Sequence, residues 1–240
     1  MTIPTCAIWN ATGNTVAGNY DGSTGKDLAS LDSPVNIFVD NNFTLYVADR
    51  DNSRVLKYPA NVTVGTVVAG NDTQGNTASL LKLPRGVAVD QMGAVIVGDS
   101  GNYRIQKFDI GSTVGVTLAA NAAWSPLGDT RDLHIDVNNN VYVTDSDYSR
   151  IVKFYPGNGI GEILAGASAP GNKSDQLLTP FGNYMDTDGT LYIADSGNHR
   201  VQKWLNGASN GTTVAGITGV KGSALTRLTN PRGVIVDNNK

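Results

Sequence analysis

The chain has 240 residues, of which 40% are hydrophobic and 16% are charged, and its formal net charge is −3. This composition is too apolar for a disordered chain. The acidic balance disfavours a nucleic-acid binder, which needs a basic surface to displace counterions from phosphates. No apolar run is long enough to form a transmembrane helix, so the sequence predicts no membrane span.

Four segments align without gaps along the chain: 46–58 (YVADRDNSRVLKY), 96–108 (IVGDSGNYRIQKF), 142–154 (YVTDSDYSRIVKF) and 192–204 (YIADSGNHRVQKW). A motif of the type P-x-G-V-x-V-D precedes each segment, beginning at Pro34, Pro84, Thr130 and Pro180, and a fifth copy begins at Pro231. A short segment ending in Ala-Gly follows at 66–70, 161–166 and 213–216. Three motifs that recur in one order indicate tandem copies of one supersecondary unit.

Each repeat predicts four short antiparallel strands joined by turns rich in Asn, Asp and Gly. Such a repeat, roughly 40 to 50 residues long, is the signature of a propeller blade. We therefore predict an all-β fold: a β-propeller of four complete four-stranded blades, with partial blades at both termini, in a single domain of residues 1–240. The repeats are expected at about 34–83, 84–129, 130–179 and 180–230, with partial blades at 1–33 and 231–240.

The segment DSGNHRVQKW at Asp195–Trp204, together with the P-x-G-V-x-V-D strand before it, resembles the NHL repeat. The resemblance extends over nearly the whole chain, from about residue 7 to residue 237, and implies a six-bladed propeller. The third repeat diverges most, since Thr130 replaces Pro and Asp132 replaces Gly. We also assign to this repeat the outer strand at 117–120, which lacks the Gly. Its packing against neighbouring blades is therefore expected to be the least regular.

Two arrangements of the termini are open. Residues 5–18 look like the third and outer strands of a blade, and residues 230–240 look like a first strand. The chain is then part of a truncated six-bladed ring, with apolar blade faces bare at the gap. Alternatively, the C-terminal strand lies beside the N-terminal ones in a strained five-bladed ring, which leaves no open sheet edge.

An Asp and an Arg recur at one spacing in every repeat, as the pairs Asp49/Arg54, Asp99/Arg104, Asp145/Arg150 and Asp195/Arg200. A ring of charged ligands is one interpretation. Because every blade has the pair, we expect a structural role instead, in which each Arg bridges its loop carboxylate and backbone carbonyls. A second recurring Asp is expected to cap the turn after the first strand, at Asp40, Asp90, Asp136, Asp186 and Asp237.

The two histidines and the single cysteine are the residues to consider for an active site or a metal site. His199 takes a turn position that other repeats fill with Ser53, Tyr103 and Ser149, and it is expected on the blade surface. His134 stands in the first strand and is expected to be a core or channel-lining residue. Zinc needs three or four convergent ligands, which two histidines in different positions and one cysteine, Cys6, do not supply. We predict no catalytic residue, metal site or cofactor, with calcium bound in the channel as the alternative.

The residue after each first-strand Pro or Thr is expected at the mouth of the central channel. The occupants are Val35, Arg85, Arg131, Phe181 and Arg232. Three arginines and an aromatic ring predict a small funnel that binds an anion or a peptide, with solvated rim charge as the alternative; His134 is included as a candidate ligand contact. The variable connections 71–83, 167–179 and 217–230 are predicted to lie beside the mouth and to complete the binding face.

These observations predict a monomeric, non-enzymatic recognition propeller that binds a protein, peptide or glycan on its loop face. The resemblance implies two alternatives: the substrate-recognition module of an NHL-type ubiquitin ligase whose catalytic domain lies elsewhere, and a metal-dependent lyase or hydrolase that uses the central channel. Candidate N-glycosylation sequons point toward an extracellular location; they begin at Asn10, Asn42, Asn61, Asn71, Asn172 and Asn210.

Overall fold

The computed structural model describes residues 12–120, 127–166 and 169–237. These form four antiparallel sheets, each with its four strands in chain order, which confirms the predicted all-β propeller architecture. Within the described ranges, the helices are two short 3-10 turns, Ser100–Asn102 and Ser196–Asn198. None of the described helices could cross a membrane.

The strands follow the sequence motifs closely. Sheet 1 contains β1 (Pro34–Val39), β2 (Leu45–Asp49), β3 (Arg54–Tyr58) and β4 (Thr66–Gly70). Sheet 2 contains β5 (Val87–Val89), β6 (Val95–Asp99), β7 (Arg104–Phe108) and β8 (Val116–Ala120). Sheet 3 contains β9 (Thr130–Ile135), β10 (Val141–Asp145), β11 (Arg150–Phe154) and β12 (Gly161–Ala165). Sheet 4 contains β13 (Asn183–Met185), β14 (Leu191–Asp195), β15 (Arg200–Trp204) and β16 (Thr212–Gly216).

The core lies between successive sheets, which pack face to face. Side chains of β2 to β4, such as Ala48 and Val55, contact Val95, Val97 and Phe108 of sheet 2. The same positions repeat between sheets 2 and 3 and between sheets 3 and 4. Full burial of such a side chain is worth about 1.5–3 kcal/mol, so each blade is stabilised largely by its neighbours. The first strands β1, β5, β9 and β13 contact one another in sequence around the channel.

A glycine before or at the start of each outer strand lets the backbone pass directly over the aromatic residue that ends the third strand. A Cβ on Gly211 would lie 2.3 Å from Nε1 of Trp204, and one on Gly115 would lie 2.9 Å from the ring of Phe108. Only a residue without a side chain fits this close approach. The loop after the third strand is therefore packed against its own blade.

The structure corrects three expectations about strands. The segment 116–120 pairs with β7 in sheet 2, so it is the outer strand of the second repeat and not of the third. Residues 12–18 form no strand, although Ala17 packs with Leu31 against the outward face of sheet 1. Residues 231–237 form no strand either, since the described chain offers them no second strand to pair with. Residues 5–11, including Cys6, lie outside the described residues.

The first strands differ in length. The strands β1 and β9 have 6 residues each, whereas β5 and β13 have 3 each. The two longer strands contain Asn36 and Asp132 at the position where the second and fourth repeats have Gly86 and Gly182. The number of blades in a complete ring stays a prediction.

Candidate binding site at the channel mouth

The repeated Asp–Arg pairs tie each blade to the chain segment that leads into it. Arg54 is fully buried, and its Nε donates to Oδ2 of Asp49 at 2.7 Å. Its two terminal nitrogens donate to the backbone carbonyls of Lys26, Asp27 and Ser30 at 2.6, 2.9 and 3.0 Å. One guanidinium thus pairs a carboxylate and fixes an entire connection, a role that its five fixed donors suit.

The other blades repeat this arrangement. Arg104 and Arg200 pair with Asp99 and Asp195 at 2.7 and 2.8 Å, and each binds three carbonyls of its own connection. Arg150 pairs with Asp145 at 3.0 Å and lies over the ring of Tyr148. Burial raises the pKa of Asp99, Asp145 and Asp195, while hydrogen bonds and the paired arginine act in the opposite direction. All four pairs sit inside the blades rather than on a ligand surface.

Four of the connections share one backbone form in their described residues, despite their variable sequences. In each of these four, a glycine N–H donates to a leucine carbonyl six residues later, as in Gly75 to Leu81 at 3.0 Å and Gly171 to Leu177 at 2.9 Å. Gly25 and Gly222 make the same contact with Leu31 and Leu228. The loop face is consequently a scaffold of fixed backbone segments surrounding the channel.

The position of His199 has a conformational explanation. His199, Ser53, Tyr103 and Ser149 all adopt a left-handed backbone, with φ between 52° and 56°. The Nδ1 atom of His199 accepts a hydrogen bond from the backbone N–H of Asn230 at 3.3 Å. This histidine belongs to the turn between the second and third strands and lies apart from His134.

The predicted mouth residues meet in a contiguous cluster. Both Arg85 and Arg131 approach the carboxylate of Asp129, at 3.1 and 2.9 Å, in ion-pair contacts that lack straight hydrogen-bond geometry. The guanidinium carbons of Arg131 and Arg232 each lie 5.0 Å from the ring centroid of Phe181. Arg232 has no carboxylate partner among the described residues. Val35 lines the adjoining cavity.

One further arginine at the mouth was missed in the sequence. Arg50 follows the repeated Asp of the first blade, where the other blades have Ser100, Ser146 and Ser196. It pairs with Asp51 at 2.9 Å, and its charge acts on Arg85. Burial lowers the pKa of Arg85, an effect that Asp129 opposes. The replacement of a repeated Ser by Arg is the signal that could have identified it.

A cavity of about 470 Å³ opens beneath the mouth, between the first strands of the four sheets and residues 232–234. Asp132 projects into it and joins three blades. Its Oδ1 accepts from Nδ2 of Asn36 at 2.6 Å and from N–H of Leu133 at 3.0 Å, and its Oδ2 accepts from N–H of Asn183 at 2.8 Å. Burial raises the pKa of Asp132 to about 6 against the opposing effect of these donors. The sequence shows that Asp132 replaces the repeated Gly, but it did not predict that this carboxylate lies in the channel.

His134 lines the same cavity. Its ring lies between those of Tyr142 and Tyr184, with centroids 6.1 and 5.8 Å away. Burial lowers its pKa, so the imidazole is neutral at neutral pH. In residues 12–120, 127–166 and 169–237, no group of three or more His, Cys, Asp or Glu side chains is arranged to bind a metal.

The opposite end of the channel carries the second set of repeated aspartates. Oδ1 of Asp40 accepts from the backbone N–H groups of Asn42 and Thr44, and Asp90 and Asp136 make the same contacts in their turns. Five of the sequon asparagines are exposed: Asn42, Asn61, Asn71, Asn172 and Asn210. Asn10 lies outside the described residues.

Comparisons with known proteins agree with this fold. The NHL repeat model matches residues 81–108 and 184–204. An auxiliary nutrient binding protein from Bacteroides thetaiotaomicron has a TM-score of 0.66 at 14% identity, covering 88% of this chain and 56% of that protein. A chain of the nidogen–laminin complex has a TM-score of 0.65 at 20% identity, covering 84% and 68%. A gluconolactonase from Xanthomonas campestris has a TM-score of 0.61 at 18% identity, covering 84% and 65%. The search among curated proteins gave no match.

Proposed function

Since the chain is an NHL-repeat β-propeller protein, we propose that it is a non-enzymatic recognition module whose channel mouth binds an acidic segment of a protein partner. The observation that carries this proposal is the cluster at Phe181. Arg131 and Arg232 both lie over its ring at 5.0 Å, and Arg232 has no carboxylate partner among the described residues. Its donors are therefore available to a ligand.

The chemistry of the cluster fits carboxylates. A guanidinium binds a carboxylate through two parallel hydrogen bonds, and contact with an aromatic ring holds the side chain in place before the ligand arrives. Arginine and aromatic residues are also the side chains that most often dominate binding energy at protein interfaces. The mouth residues lie on strands or on connections that hydrogen bonds hold in place. The protein backbone is therefore ordered before the ligand arrives, and binding costs it little conformational entropy.

The charge distribution supports a protein partner over a nucleic acid. Arg50, Arg85, Arg131 and Arg232 create a local positive patch on a chain whose net charge is −3. The patch is interrupted by the carboxylates of Asp51 and Asp129, which would repel a continuous phosphate backbone. An acidic peptide can place its carboxylates between them, and steering by the patch would accelerate its association.

A channel enzyme is the second candidate, favoured by the likeness to a gluconolactonase and by Asp132 and His134 in one cavity. Such an enzyme would need further ligands around a metal ion. The side chains of Asn36 and Asn183 next to Asp132 are amides, which suit hydrogen bonding more than the binding of a transition metal. A ligase recognition module would use the same mouth, with its catalytic domain on another part of the protein.

The proposal is tested with a fluorescein-labelled peptide of ten glutamates, by fluorescence anisotropy at low and physiological salt. Arg232→Ala and Phe181→Leu are expected to weaken binding about tenfold, the equivalent of 1.4 kcal/mol. Lys203→Ala is the matched control, because it removes a cation that lies over Tyr192, far from the mouth in its blade. Equal loss of affinity in the control, or none in the mouth variants, would overturn the assignment.

Two added measurements separate the alternatives. A labelled single-stranded oligonucleotide that bound as tightly as the glutamate peptide would favour nucleic acid over protein. Elemental analysis of the purified protein that found stoichiometric zinc or calcium, lost in an Asp132→Asn variant, would favour the channel enzyme.

A further inference from the structure

Charge changes sign between the mouth and the cavity beneath it. Four arginines and two aspartates surround the mouth, so its net charge is positive. The cavity of about 470 Å³ is lined by Asp132 and by neutral side chains, with Arg232 at its rim. His134 adds no charge, because burial lowers its pKa and keeps the imidazole neutral. A ligand that complements both parts must itself combine negative and positive groups.

Asp132 is able to receive a positive group. Its hydrogen-bond donors, from Asn36, Leu133 and Asn183, are all uncharged amides. It forms no ion pair within the described residues, so no cation of the chain compensates its charge there. A carboxylate accepts about four hydrogen bonds, and three are made here, which leaves one acceptor position on Oδ2.

The position is specific to one blade. Asn36, Gly86, Gly182 and Gly233 occupy the corresponding positions of the other copies of the first strand. A Cβ on Gly86 would collide with Leu133, and one on Gly182 with the carbonyl of Arg232, so those positions have no room for a carboxylate. Among the described lining residues, Asp132 of the third blade is the one acidic side chain that the cavity contains.

We propose that the mouth takes an acidic segment carrying one basic side chain, lysine or arginine, which enters the cavity and pairs with Asp132 while the flanking carboxylates bind the arginines. This inference rests on the proposed function and specifies its ligand. A glutamate or aspartate in the same place would bring a like charge toward Asp132, which disfavours a uniformly acidic ligand. The cavity volume lies within the range of sites that hold small ligands, so one long side chain fits.

Two peptides test the proposal: Glu-Glu-Gly-Lys-Gly-Glu-Glu, with both ends blocked, and the same peptide with norleucine in place of lysine. Norleucine keeps the length of the side chain and removes its charge. We expect the lysine peptide to bind about tenfold more tightly, the equivalent of 1.4 kcal/mol. Asp132→Gly, which installs the residue of the neighbouring blades, is expected to abolish the preference and leave the norleucine peptide unaffected.

Asp132→Asn is the second variant, in case the glycine weakens the fold. Asp109→Asn is the control, because that carboxylate is exposed on the loop after β7, in the neighbouring blade. Equal binding of both peptides to the unmodified protein would overturn the inference and leave the proposed function standing. Failure of both peptides while the ten-glutamate peptide binds would also overturn the inference alone, and failure of all three peptides would overturn the proposed function itself. A lysine preference that survived in both Asp132 variants would remove Asp132 from the site.

Discussion

Loss of the Arg54 side chain is expected to destabilise the first blade strongly. In Arg54→Ala, Asp49 is left fully buried without its cation, and three connection carbonyls lose their donor. Breaking a buried ion pair by removing one partner typically costs about 3–5 kcal/mol. Urea unfolding followed by circular dichroism should show this loss in the free energy of unfolding. The loss is large, because the whole free energy of unfolding of a domain is typically only about 5–15 kcal/mol.

Local measurement makes the test sharper, because repeat proteins do not always unfold in one step. Hydrogen exchange should increase in residues 19–33, which Arg54 binds, and much less in residues 171–177, which Arg200 binds in the same way. Arg54→Lys keeps a positive charge next to Asp49 but lacks the planar set of guanidinium donors that binds the three carbonyls. It should therefore be destabilised less than Arg54→Ala. A decrease in the free energy of unfolding of Arg54→Ala below about 1 kcal/mol would refute the argument. Equal loss of hydrogen-exchange protection in both connections would refute it as well.

Two further predictions concern the channel and the blade packing. The pKa of Asp132 is raised to about 6, so its contribution to stability is full below the unfolded value near 3.9 and is lost as pH rises through 6. As the pH falls from 7 to 5, the melting temperature of the unmodified protein should therefore rise relative to that of Asp132→Asn. Parallel plots of melting temperature against pH for the two proteins would contradict the raised pKa of Asp132. Gly211→Ala should cost about 1–3 kcal/mol, because its Cβ would meet Trp204. Gly13→Ala, which meets nothing within 4 Å, is the matched control, and equal unfolding midpoints in the two variants would argue against the packing.

The blades could be predicted from sequence because the information is local and repeated. The aligned segments 46–58 and 192–204 each contain all but the first residue of a pair of strands, together with the turn between them. The terminal segments were predicted less well. Residues 12–18 and 231–237 have the residue pattern of strands, but a strand needs a partner, and a pattern of side chains does not supply one.

The candidate site was predicted in part for the same reason. Arg85, Arg131, Phe181 and Arg232 occupy one repeated position, so their meeting at the mouth follows from the symmetry of the repeat. Asp132 contacts Asn36, which is 96 residues away, and no local pattern encodes such a contact. It depends on how tightly the first strands approach the axis, which is a property of the assembled blades.

Repetition itself separates structural from functional charge in this protein. A residue present in every blade, such as Arg54 or Asp40, directs its hydrogen bonds toward its own turn or connection. Little of its capacity is left for a ligand, because the fold requires those bonds in each copy. The charges that break the repeat behave differently: Arg232 has no carboxylate partner in the described ranges, and Asp132 has only neutral donors. Burial of the Asp132 carboxylate costs stability although the repeat does not require an acidic residue there, and Arg232 lies at the rim of the same cavity. This cavity is therefore where we propose that a ligand is recognised.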